Sequence, residues 1–238
     1  MIDTKEMYLD LLKSCLLHSL WTDLDKVLVE EGIQFPPDPY ADSMLGMRRL
    51  NNIQFCVENV LMDNVPGDLL EAGVWRGGAT VFMKALLKVN EDIDRKVWVA
   101  DSFEGLPPPN PELYPRDKDD IHWQFSFLRV SLEEVQDVFR KYGMLDDRVV
   151  FLKGWFKDSF PIAPIKKLAV LRCDGDMYES TWDSLSNLYP KLSSGGYCII
   201  DDYLFTGCRA AVDDYRSRNG IWEEIIPIDR NGVYWRKD

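Results

Sequence analysis

Five short, nearly continuous apolar runs alternate with stretches of helical periodicity, and this alternation most constrains how the 238-residue chain can fold. The runs are Asp68–Val74, Lys96–Asp101, Val149–Gly154, Leu168–Asp174 and Gly196–Asp202. Strands this uniformly apolar are buried on both faces, which predicts a parallel sheet whose strands are joined by right-handed crossover helices. After them, Glu224–Asp229 and Val233–Lys237 flank a turn at Arg230–Gly232 and indicate an antiparallel hairpin. The sequence therefore predicts an α/β protein with a mostly parallel, doubly wound, seven-stranded sheet.

The N-terminal part of the chain has a different pattern. Helical periodicity runs through the first 32 residues and ends at Gly32, and the proline-rich stretch FPPDPYAD then excludes a helix. Ser43 is predicted to cap a second helix, in which apolar positions recur from Leu50 onward. We therefore expect an N-terminal helical segment over residues 1–42 and a single domain over residues 43–238.

Residues 103–129 are the one long stretch that fits neither a strand nor a helix. They contain five prolines and several aromatic side chains, and they directly follow a predicted strand. A long irregular connection inside a compact domain is usually a functional lid or a disordered segment. The aromatic residues favour a lid.

The composition limits the partners and the location of the protein. A formal net charge of −12 disfavours nucleic acid and anionic membranes as partners, and no apolar run approaches the roughly 20 residues that cross a bilayer. The N-terminal sequence does not suit a secretory signal. The five cysteines include no CxxC pair, and Cys173 and Cys198 fall in predicted strands, as expected of buried thiols in a reduced, cytoplasmic protein. Because the sequence has two histidines, a metal is expected among carboxylates rather than in a zinc cluster.

The first two predicted strands end in a pattern that suits a nucleoside ligand. The first ends in EAGVWRGG, residues 71–78, where Gly73 lets the backbone approach a ligand closely. The second ends at Asp101, whose carboxylate can accept hydrogen bonds from both hydroxyls of a ribose. A dinucleotide fingerprint, G-x-G-x-x-G, fails in both registers, which disfavours an NAD-dependent oxidoreductase. Glu71 would repel a pyrophosphate but suits an ammonium or sulfonium group, and the combination is the pattern of class I methyltransferases.

Four aspartates follow two later strands. Asp174 and Asp176 end the fourth run, and Asp201 and Asp202 end the fifth. If these strands are adjacent, they lie about 4.8 Å apart and their terminal carboxylates converge. Single aspartates at strand ends usually cap helices or begin turns, but converging carboxylates raise one another's pKa unless a cation sits among them. Oxygen ligands favour Mg²⁺, Mn²⁺ or Ca²⁺.

This arrangement suits methyl transfer to a hydroxyl group. Coordination to a metal lowers the pKa of a sugar or catechol hydroxyl, as it does for bound water. Asp176 is predicted to take the proton as general base. His122 in the predicted lid is a rival base, although the sequence favours a surface histidine without a catalytic role at this position. The oxygen would then attack a sulfonium methyl group in line, with much of the rate coming from alignment.

Long stretches of the chain resemble the macrocin O-methyltransferase family. They are LLEAGVWRGGAT, VWVADSFEGLP, VVFLKGWFKDSFP, LAVLRCDGDMYESTWDSLSNLYPKLSSGGYCIIDDY and the C-terminal GVYWRKD. The resemblance begins at about Met44 and implies a Rossmann-like class I methyltransferase fold, S-adenosylmethionine as methyl donor and dependence on Mg²⁺. It implies a role in antibiotic biosynthesis, typically the methylation of deoxysugar hydroxyls on macrolides and on novobiocin. It further implies a homodimer or higher homo-oligomer, with the N-terminal segment and the lid shaping the acceptor pocket.

The resemblance also implies roles for individual residues of the aspartate group. Asp174, Asp201 and Asp202 fall where the family holds Mg²⁺. Asp176 falls where a catalytic base has been assigned in the family. The implied acceptor is a small molecule with vicinal oxygens.

A second implied set of residues binds S-adenosylmethionine. Its members are Met44, Glu71, Gly73, Val74, Trp75, Asp101, Ser102, Phe103, Trp155, Phe156 and Asp174. Within this set, Asp101 would bind the ribose, Trp155 and Phe156 would flank the adenine, and Met44 would close over the methionine end.

Two alternative functions remain open from the sequence. A catechol or another phenol is an alternative acceptor, because two adjacent ring oxygens chelate a metal equally well. A non-catalytic module that only binds S-adenosylmethionine is disfavoured, because the chain keeps all four aspartates.

Overall fold

The computed structural model describes residues 3–21 and 37–238, and a sheet forms the centre of this part of the chain. Its strands are β1 (Asp68–Ala72), β2 (Val97–Asp101), β3 (Val149–Lys153), β4 (Leu168–Cys173), β5 (Leu192–Ile200), β6 (Ile226–Pro227) and β7 (Val233–Arg236). Their order across the sheet is β3-β2-β1-β4-β5-β7-β6. The first five strands pair in parallel, and β7 pairs antiparallel with both β5 and β6. The predicted seven-stranded, mostly parallel sheet with a terminal antiparallel hairpin is confirmed.

Two strands differ most from the prediction in length. β5 begins at Leu192 rather than at Gly196, and its pairing with β4 shifts register between Leu168 and Val170. Gly195, with φ of 81°, interrupts the strand's alternation at this point, so the apolar pattern in the sequence begins only after it. β6 is confined to two residues that pair with β7.

Helices cover both faces of the sheet. They are α1 (Thr4–Leu16), α2 (Met47–Met62), α3 (Gly78–Val89), α4 (Leu132–Lys141), α5 (Phe156–Ser159), α6 (Tyr178–Leu188) and α7 (Thr206–Asn219). One buried apolar cluster contains residues of the four helices α1, α2, α3 and α4, together with alternate strand residues such as Val97 and Val99. The other joins α6 and α7 with the intervening residues, such as Trp98 and Ala100. Both faces of the strands are therefore buried, which accounts for their continuous apolar sequences.

The structure corrects the prediction for the second helix. α2 begins at Met47 after the N-cap residue Gly46, whereas Ser43 caps no helix and its Oγ accepts the N–H of Leu45 at 3.2 Å. The backbone is held extended here because Asp42 and Ser43 donate their N–H groups to Leu16 O at 2.9 and 3.1 Å.

The first helix is also shorter than predicted. α1 ends at Leu16 and is capped by Asp3, whose carboxylate accepts the N–H groups of Lys5 and Glu6. The predicted helix end at Gly32 lies outside the described residues. Within the described ranges, no helix is both long enough and apolar enough to span a bilayer.

The chain order places a ligand site at the carboxyl edge of the sheet. From β1 the chain moves outward through β2 to β3, and it then returns to the other side of β1 with β4 and β5. Ligands of doubly wound sheets bind where the strand order reverses in this way. Residues 103–129 follow β2 at this edge and contain three short 3₁₀ turns, Pro115–Asp117, His122–Gln124 and Ser126–Leu128.

Candidate active site

A cleft that encloses about 860 Å³, including its open mouth, lies at the carboxyl edge of the sheet. Residues that follow the strands line one part of it, and they are Gly73, Trp75, Asp101, Ser102, Trp155, Phe156, Asp174, Gly175 and Asp176. Other segments complete the wall with Met44, Gly105, Leu106, Pro107, Leu128, Lys157, Glu179, Ser180 and Asp183. The structure thus brings nine of the residues selected from the sequence to one cleft. The sequence does not predict the lining residues that come from α6 or those after Phe103 in the 103–129 segment, because these stretches match no ligand-binding pattern.

The turn after β1 requires glycine. Gly73 has a φ of 87°, and a Cβ atom there would lie 1.7 Å from the carbonyl oxygen of Asp174. The Asp174 N–H donates to Ala72 O at 2.8 Å, so the ends of β1 and β4 are held together at this point. The absence of a side chain therefore lets the two strand ends meet beneath the cleft.

Asp101 is fixed by the backbone on both sides of it. Its Oδ2 accepts the N–H of Val74 at 2.8 Å, and its Oδ1 accepts the N–H of Phe103 at 2.7 Å. Burial raises the pKa of Asp101, and these N–H groups act in the opposite direction. The side chains of Val74 and Phe103 are 5% exposed and pack in the core, so these two residues contribute backbone groups to the site.

Aromatic residues form the remaining wall on this side. The Trp75 Nε1–H donates to Phe127 O at 2.8 Å, which connects the turn after β1 to residues 103–129. Phe156 stacks on Phe160 with ring centroids 4.6 Å apart. Flat apolar walls of this kind suit a planar ring such as an adenine.

Three carboxylates meet at the part of the cleft that Asp174 lines, which we call the acidic end; the other two, Asp201 and Asp202, do not themselves line the cleft. Asp174 follows β4, whereas Asp201 and Asp202 follow β5, and one oxygen from each lies within 4.8 Å of the others. Their convergence follows from the pairing of Cys173 with Ile200, the last residues of the two strands.

Two arginines that had not been selected from the sequence neutralise part of this charge. Arg172 in β4 is 1% exposed; its Nη1 lies 2.9 Å from Asp174 Oδ2, and its guanidinium also pairs with Glu71 and Asp201. Arg49 in α2 pairs with Asp201 as well, and its Nε lies 2.7 Å from Asp229 Oδ2, so its charge is shared with a carboxylate outside this group. Glu71 therefore lies behind the wall of the cleft, where it contacts the side chain of its strand neighbour Arg172.

The charge of Asp176 and Asp202 is less well compensated. Asp176 has a φ of 58°, and its N–H donates to Asp202 Oδ2 at 3.1 Å. Burial, followed by repulsion from Asp174, raises the pKa of Asp176 to about 7. Burial and the neighbouring aspartates hold the pKa of Asp202 well above its usual range.

His122 lies near this acidic end. Its Nδ1 is 2.8 Å from Asp120 Oδ2, and its ring centroid is 5.1 Å from that of Phe205, shortly after Asp202. The hydrogen bond with Asp120 is the largest cause of a raised His122 pKa, and the charge of Asp176 contributes to it. Both candidate bases thus lie near the acidic end, but Asp176 lines the cleft and His122 does not.

Comparisons with known proteins agree with this geometry. The family model described as macrocin-O-methyltransferase (TylF) matches residues 24–237. The 8-demethyl-8-(2,3-dimethoxy-alpha-L-rhamnosyl)-tetracenomycin-C 4'-O-methyltransferase of Streptomyces olivaceus is 49% identical over 245 aligned residues, which cover 98% of this chain and 94% of that protein. The mycinamicin III 3''-O-methyltransferase of Micromonospora griseorubida is also 49% identical, with 98% and 96% covered.

A solved structure matches at the level of the fold and of the sequence. The O-methyltransferase NovP superposes with a TM-score of 0.94 at 49% identity, over 98% of this chain and 99% of that one. The cleft, the family match and these relatives lead to one assignment. The chain belongs to the macrocin O-methyltransferase family and is an S-adenosylmethionine-dependent O-methyltransferase.

Proposed function

We propose that this enzyme methylates a sugar hydroxyl of a glycosylated natural product, with a divalent cation held by Asp174, Asp201 and Asp202. The convergence of these three carboxylates beside the cleft is the observation that carries the proposal. The two relatives described above support the acceptor class, because their names place methyl transfer at a 4' position of a rhamnosyl tetracenomycin and at a 3'' position of mycinamicin III. A small molecule with vicinal oxygens is therefore the proposed acceptor.

The proposed place of S-adenosylmethionine is the aromatic end of the cleft. Asp101 would accept the ribose hydroxyls, and Trp155 and Phe156 would flank the adenine. Gly73 and Trp75 would lie along the nucleoside. Met44 would lie at the methionine end, Ser102 in the wall and Asp174 beside the methyl group. Val74 and Phe103 would orient Asp101 through their backbone N–H groups. Glu71 would act indirectly, through its ion pair with Arg172.

The donor set fits a hard divalent cation. The guanidinium groups of Arg49 and Arg172 pair with four carboxylates, those of Glu71, Asp174, Asp201 and Asp229. Asp176 and Asp202 add two more carboxylates at the same place, which leaves negative charge at the cleft. Burial raises the pKa of Asp202, and repulsion from the neighbouring aspartates raises it further; a bound cation would offset that repulsion. Carboxylate oxygens favour Mg²⁺, Mn²⁺ or Ca²⁺, and we propose Mg²⁺ as the ion used.

Asp176 is the proposed general base. When bound, S-adenosylmethionine supplies an electrophilic methyl group, and the cation lowers the pKa of the acceptor hydroxyl. The Asp176 carboxylate lies in the wall of the cleft and takes the hydroxyl proton. The backbone N–H of Asp176 donates a hydrogen bond to Asp202, which holds the turn in place. Burial is the largest cause of the raised pKa of Asp176, and burial persists when a cation is bound, so this carboxylate is a stronger proton acceptor than an exposed aspartate.

The outer parts of the chain are proposed to select the acceptor and to form contacts between subunits. Residues 1–42 would form the N-terminal segment, residues 43–238 the catalytic domain, and residues 103–129 a lid over the acceptor. Exposed apolar side chains on α1, among them Met7 and Leu11, support a homodimer or higher homo-oligomer. The five unpaired cysteines support a location in the reducing cytoplasm.

The test is a methyl-transfer assay with isotopically labelled S-adenosylmethionine. The acceptors are mycinamicin III, the rhamnosyl tetracenomycin named above and a simple catechol, each with enzyme treated with a chelator and with enzyme resupplied with Mg²⁺, Mn²⁺ or Ca²⁺. We expect methylation of a sugar hydroxyl that is lost with the chelator and restored by Mg²⁺. Turnover of the catechol alone would replace the sugar with a phenolic acceptor, and full activity in the chelator would remove the metal from the mechanism.

A further inference from the structure

Asp117 is a buried carboxylate in a surface segment, and the proposed chemistry does not use it. It ends the 3₁₀ turn Pro115–Asp117 within residues 103–129 and is 3% exposed, although its neighbours Arg116 and Lys118 are exposed. Carboxylates are rarely this buried unless they have partners. Its partners lie on a different element.

Those partners are the first two backbone N–H groups of α6. Tyr178 donates to Asp117 Oδ1 at 2.7 Å, and Glu179 donates to Oδ2 at 3.0 Å. The N-cap residue of α6, Met177, offers no side-chain acceptor of its own. A residue 61 positions earlier in the chain thus supplies the cap, and it also places a negative charge at the positive end of the helix.

The beginning of α7 is shaped around the same carboxylate. A Cβ atom at Gly207 would lie 2.6 Å from Asp117 Oδ1 and 3.1 Å from the N–H nitrogen of Tyr178. Nearby, the rings of Tyr114 and Tyr178 have centroids 5.9 Å apart. The carboxylate therefore sits where residues 103–129, α6 and α7 meet.

These two helices directly follow the acidic turns of the site. α6 begins two residues after Asp176, and α7 begins four residues after Asp202. α6 also places Glu179 and Asp183 in the wall of the cleft, and residues 103–129 contribute Leu106 to the same wall. Asp117 thus belongs to the segment proposed to cover the cleft, and its carboxylate accepts hydrogen bonds from the helix that follows the turn carrying Asp176.

We propose that Asp117 is a positioning residue that latches the lid, residues 103–129, to the start of α6. Closure of the lid and placement of the turn that carries Asp176 are therefore coupled through this side chain. The inference rests on the proposed function in taking residues 103–129 as the lid of the methyl-transfer site. It assigns to Asp117 no contact with the cofactor or the acceptor.

Limited digestion of the full-length protein with trypsin tests the latch, because the two bonds after Arg116 and Lys118 flank Asp117. We expect Asp117→Asn to accelerate cleavage at these bonds about tenfold or more, because the amide nitrogen turns a donor toward the Glu179 N–H and the lid opens more often. Asp117→Ala should cleave at least as fast. Because an acidic residue next to a tryptic bond slows its cleavage, the rate for each variant is divided by that of a peptide of residues 112–122 with the same substitution. The matched control is Asp119→Asn, which changes the same charge two residues away at a side chain that is 88% exposed, and after this normalisation it should cleave like the wild type.

Two further measurements separate a latch from general stabilisation. Gly207→Ala approaches the carboxylate from α7 without changing the lid, and it should also accelerate cleavage at these two bonds. Titration with S-adenosylhomocysteine should give a Kd about threefold or more above that of the wild type for Asp117→Asn and an unchanged value for Asp119→Asn, since the lid forms part of the cleft wall.

The proposal is overturned if a folded Asp117→Asn protein is cleaved at the wild-type rate, or if Asp119→Asn accelerates cleavage equally. It is also overturned if cleavage spreads over the whole chain with a lowered melting temperature, which would show a purely global effect. Neither digestion nor this titration requires an acceptor or a metal. Failure of the latch is therefore distinguishable from failure of the proposed reaction.

Discussion

The two ends of the cleft hold their buried negative charge in opposite ways. At the end of β2, the single carboxylate of Asp101 is satisfied by backbone N–H groups of Val74 and Phe103. At the ends of β4 and β5, several carboxylates crowd together and share the guanidinium groups of Arg49 and Arg172. At the first end, the buried charge already has hydrogen-bond donors from the protein, and the carboxylate suits a neutral hydroxyl donor as ligand. The second retains excess negative charge and suits a cation.

This difference matches the two kinds of binding proposed for the enzyme, that of a nucleoside at the Asp101 end, here called the nucleoside end, and that of a cation at the acidic end. Fixed backbone donors keep their positions whatever the ligand, so the nucleoside end is preorganised. The crowded carboxylates repel one another, and a divalent ion would relieve that repulsion only when bound. Substitutions at the acidic end should therefore affect turnover and metal binding, whereas substitutions at the nucleoside end should affect cofactor affinity.

The largest expected effect is that of Asp202→Asn. Removing one carboxylate should weaken metal binding and lower kcat by about 1000-fold, because activation of the hydroxyl by a metal is worth several kcal/mol. The Kd for S-adenosylhomocysteine should stay within about threefold of the wild-type value. Calorimetric titrations with Mg²⁺ and with S-adenosylhomocysteine, alongside the methyl-transfer assay, measure all three quantities.

The control for this variant is Asp147→Asn, which makes the same charge change at an exposed position after α4. It should alter none of the three quantities. A variant of Asp202 that bound Mg²⁺ and turned over normally would contradict the assignment of the acidic end.

The next effect distinguishes the two candidate bases. Asp176→Asn should lower kcat by about 100-fold or more while cofactor and metal binding persist, because asparagine tolerates the positive φ at this position and keeps the backbone N–H on Asp202. His122→Asn should lower kcat by less than tenfold. Steady-state kinetics at saturating S-adenosylmethionine compare the two variants, and the reverse order would make His122 the base.

The strands and the acidic residues that follow them could be predicted, whereas the pairing of charges could not. Five apolar runs placed β1 to β5 to within a few residues, because strands buried on both faces leave a continuous signature in the sequence. The convergence of Asp174 with Asp201 and Asp202 followed from the adjacency of two parallel strands. These features depend on local periodicity and on a general rule of topology.

The partners of these carboxylates come from distant parts of the chain. Arg49 lies 152 residues before Asp201, on a helix whose apolar periodicity carries no sign of an ion pair. Arg172 did leave a signal, since a charged residue inside an apolar strand requires a buried partner. The cap that Asp117 provides for α6 left none, because ordinary helix caps are sought immediately before the helix.

A smaller effect is expected at the nucleoside end. Asp101→Asn should raise the Kd for S-adenosylhomocysteine about tenfold, because one charged acceptor of the ribose hydroxyls is lost. Asp101→Ala should raise it further, since the N–H groups of Val74 and Phe103 then lose their acceptor as well. Calorimetry in Mg²⁺-containing buffer measures both variants. Wild-type affinity in the alanine variant would exclude Asp101 from the cofactor site.

The smallest expected effect is a dependence of stability on pH that the metal removes. The pKa of Asp176 rises from about 3.9 in the unfolded chain to about 7 in the folded protein, so the folded state binds more protons between these values. In chelator, this contribution to stability is therefore present at pH 4 and is lost as the pH rises through 7. Differential scanning calorimetry should show the melting temperature falling by a few degrees between pH 5 and pH 8. Asp176→Asn should reduce this trend without abolishing it, because the pKa of Asp202 is also raised. Mg²⁺ should stabilise the wild type more at pH 8 than at pH 5, because protons compete with the ion for the same oxygens. Equal stabilisation by Mg²⁺ at both pH values would mean that the ion does not bind at the crowded carboxylates. The two ends of the cleft would then differ only in that the acidic end pairs its carboxylates with arginines.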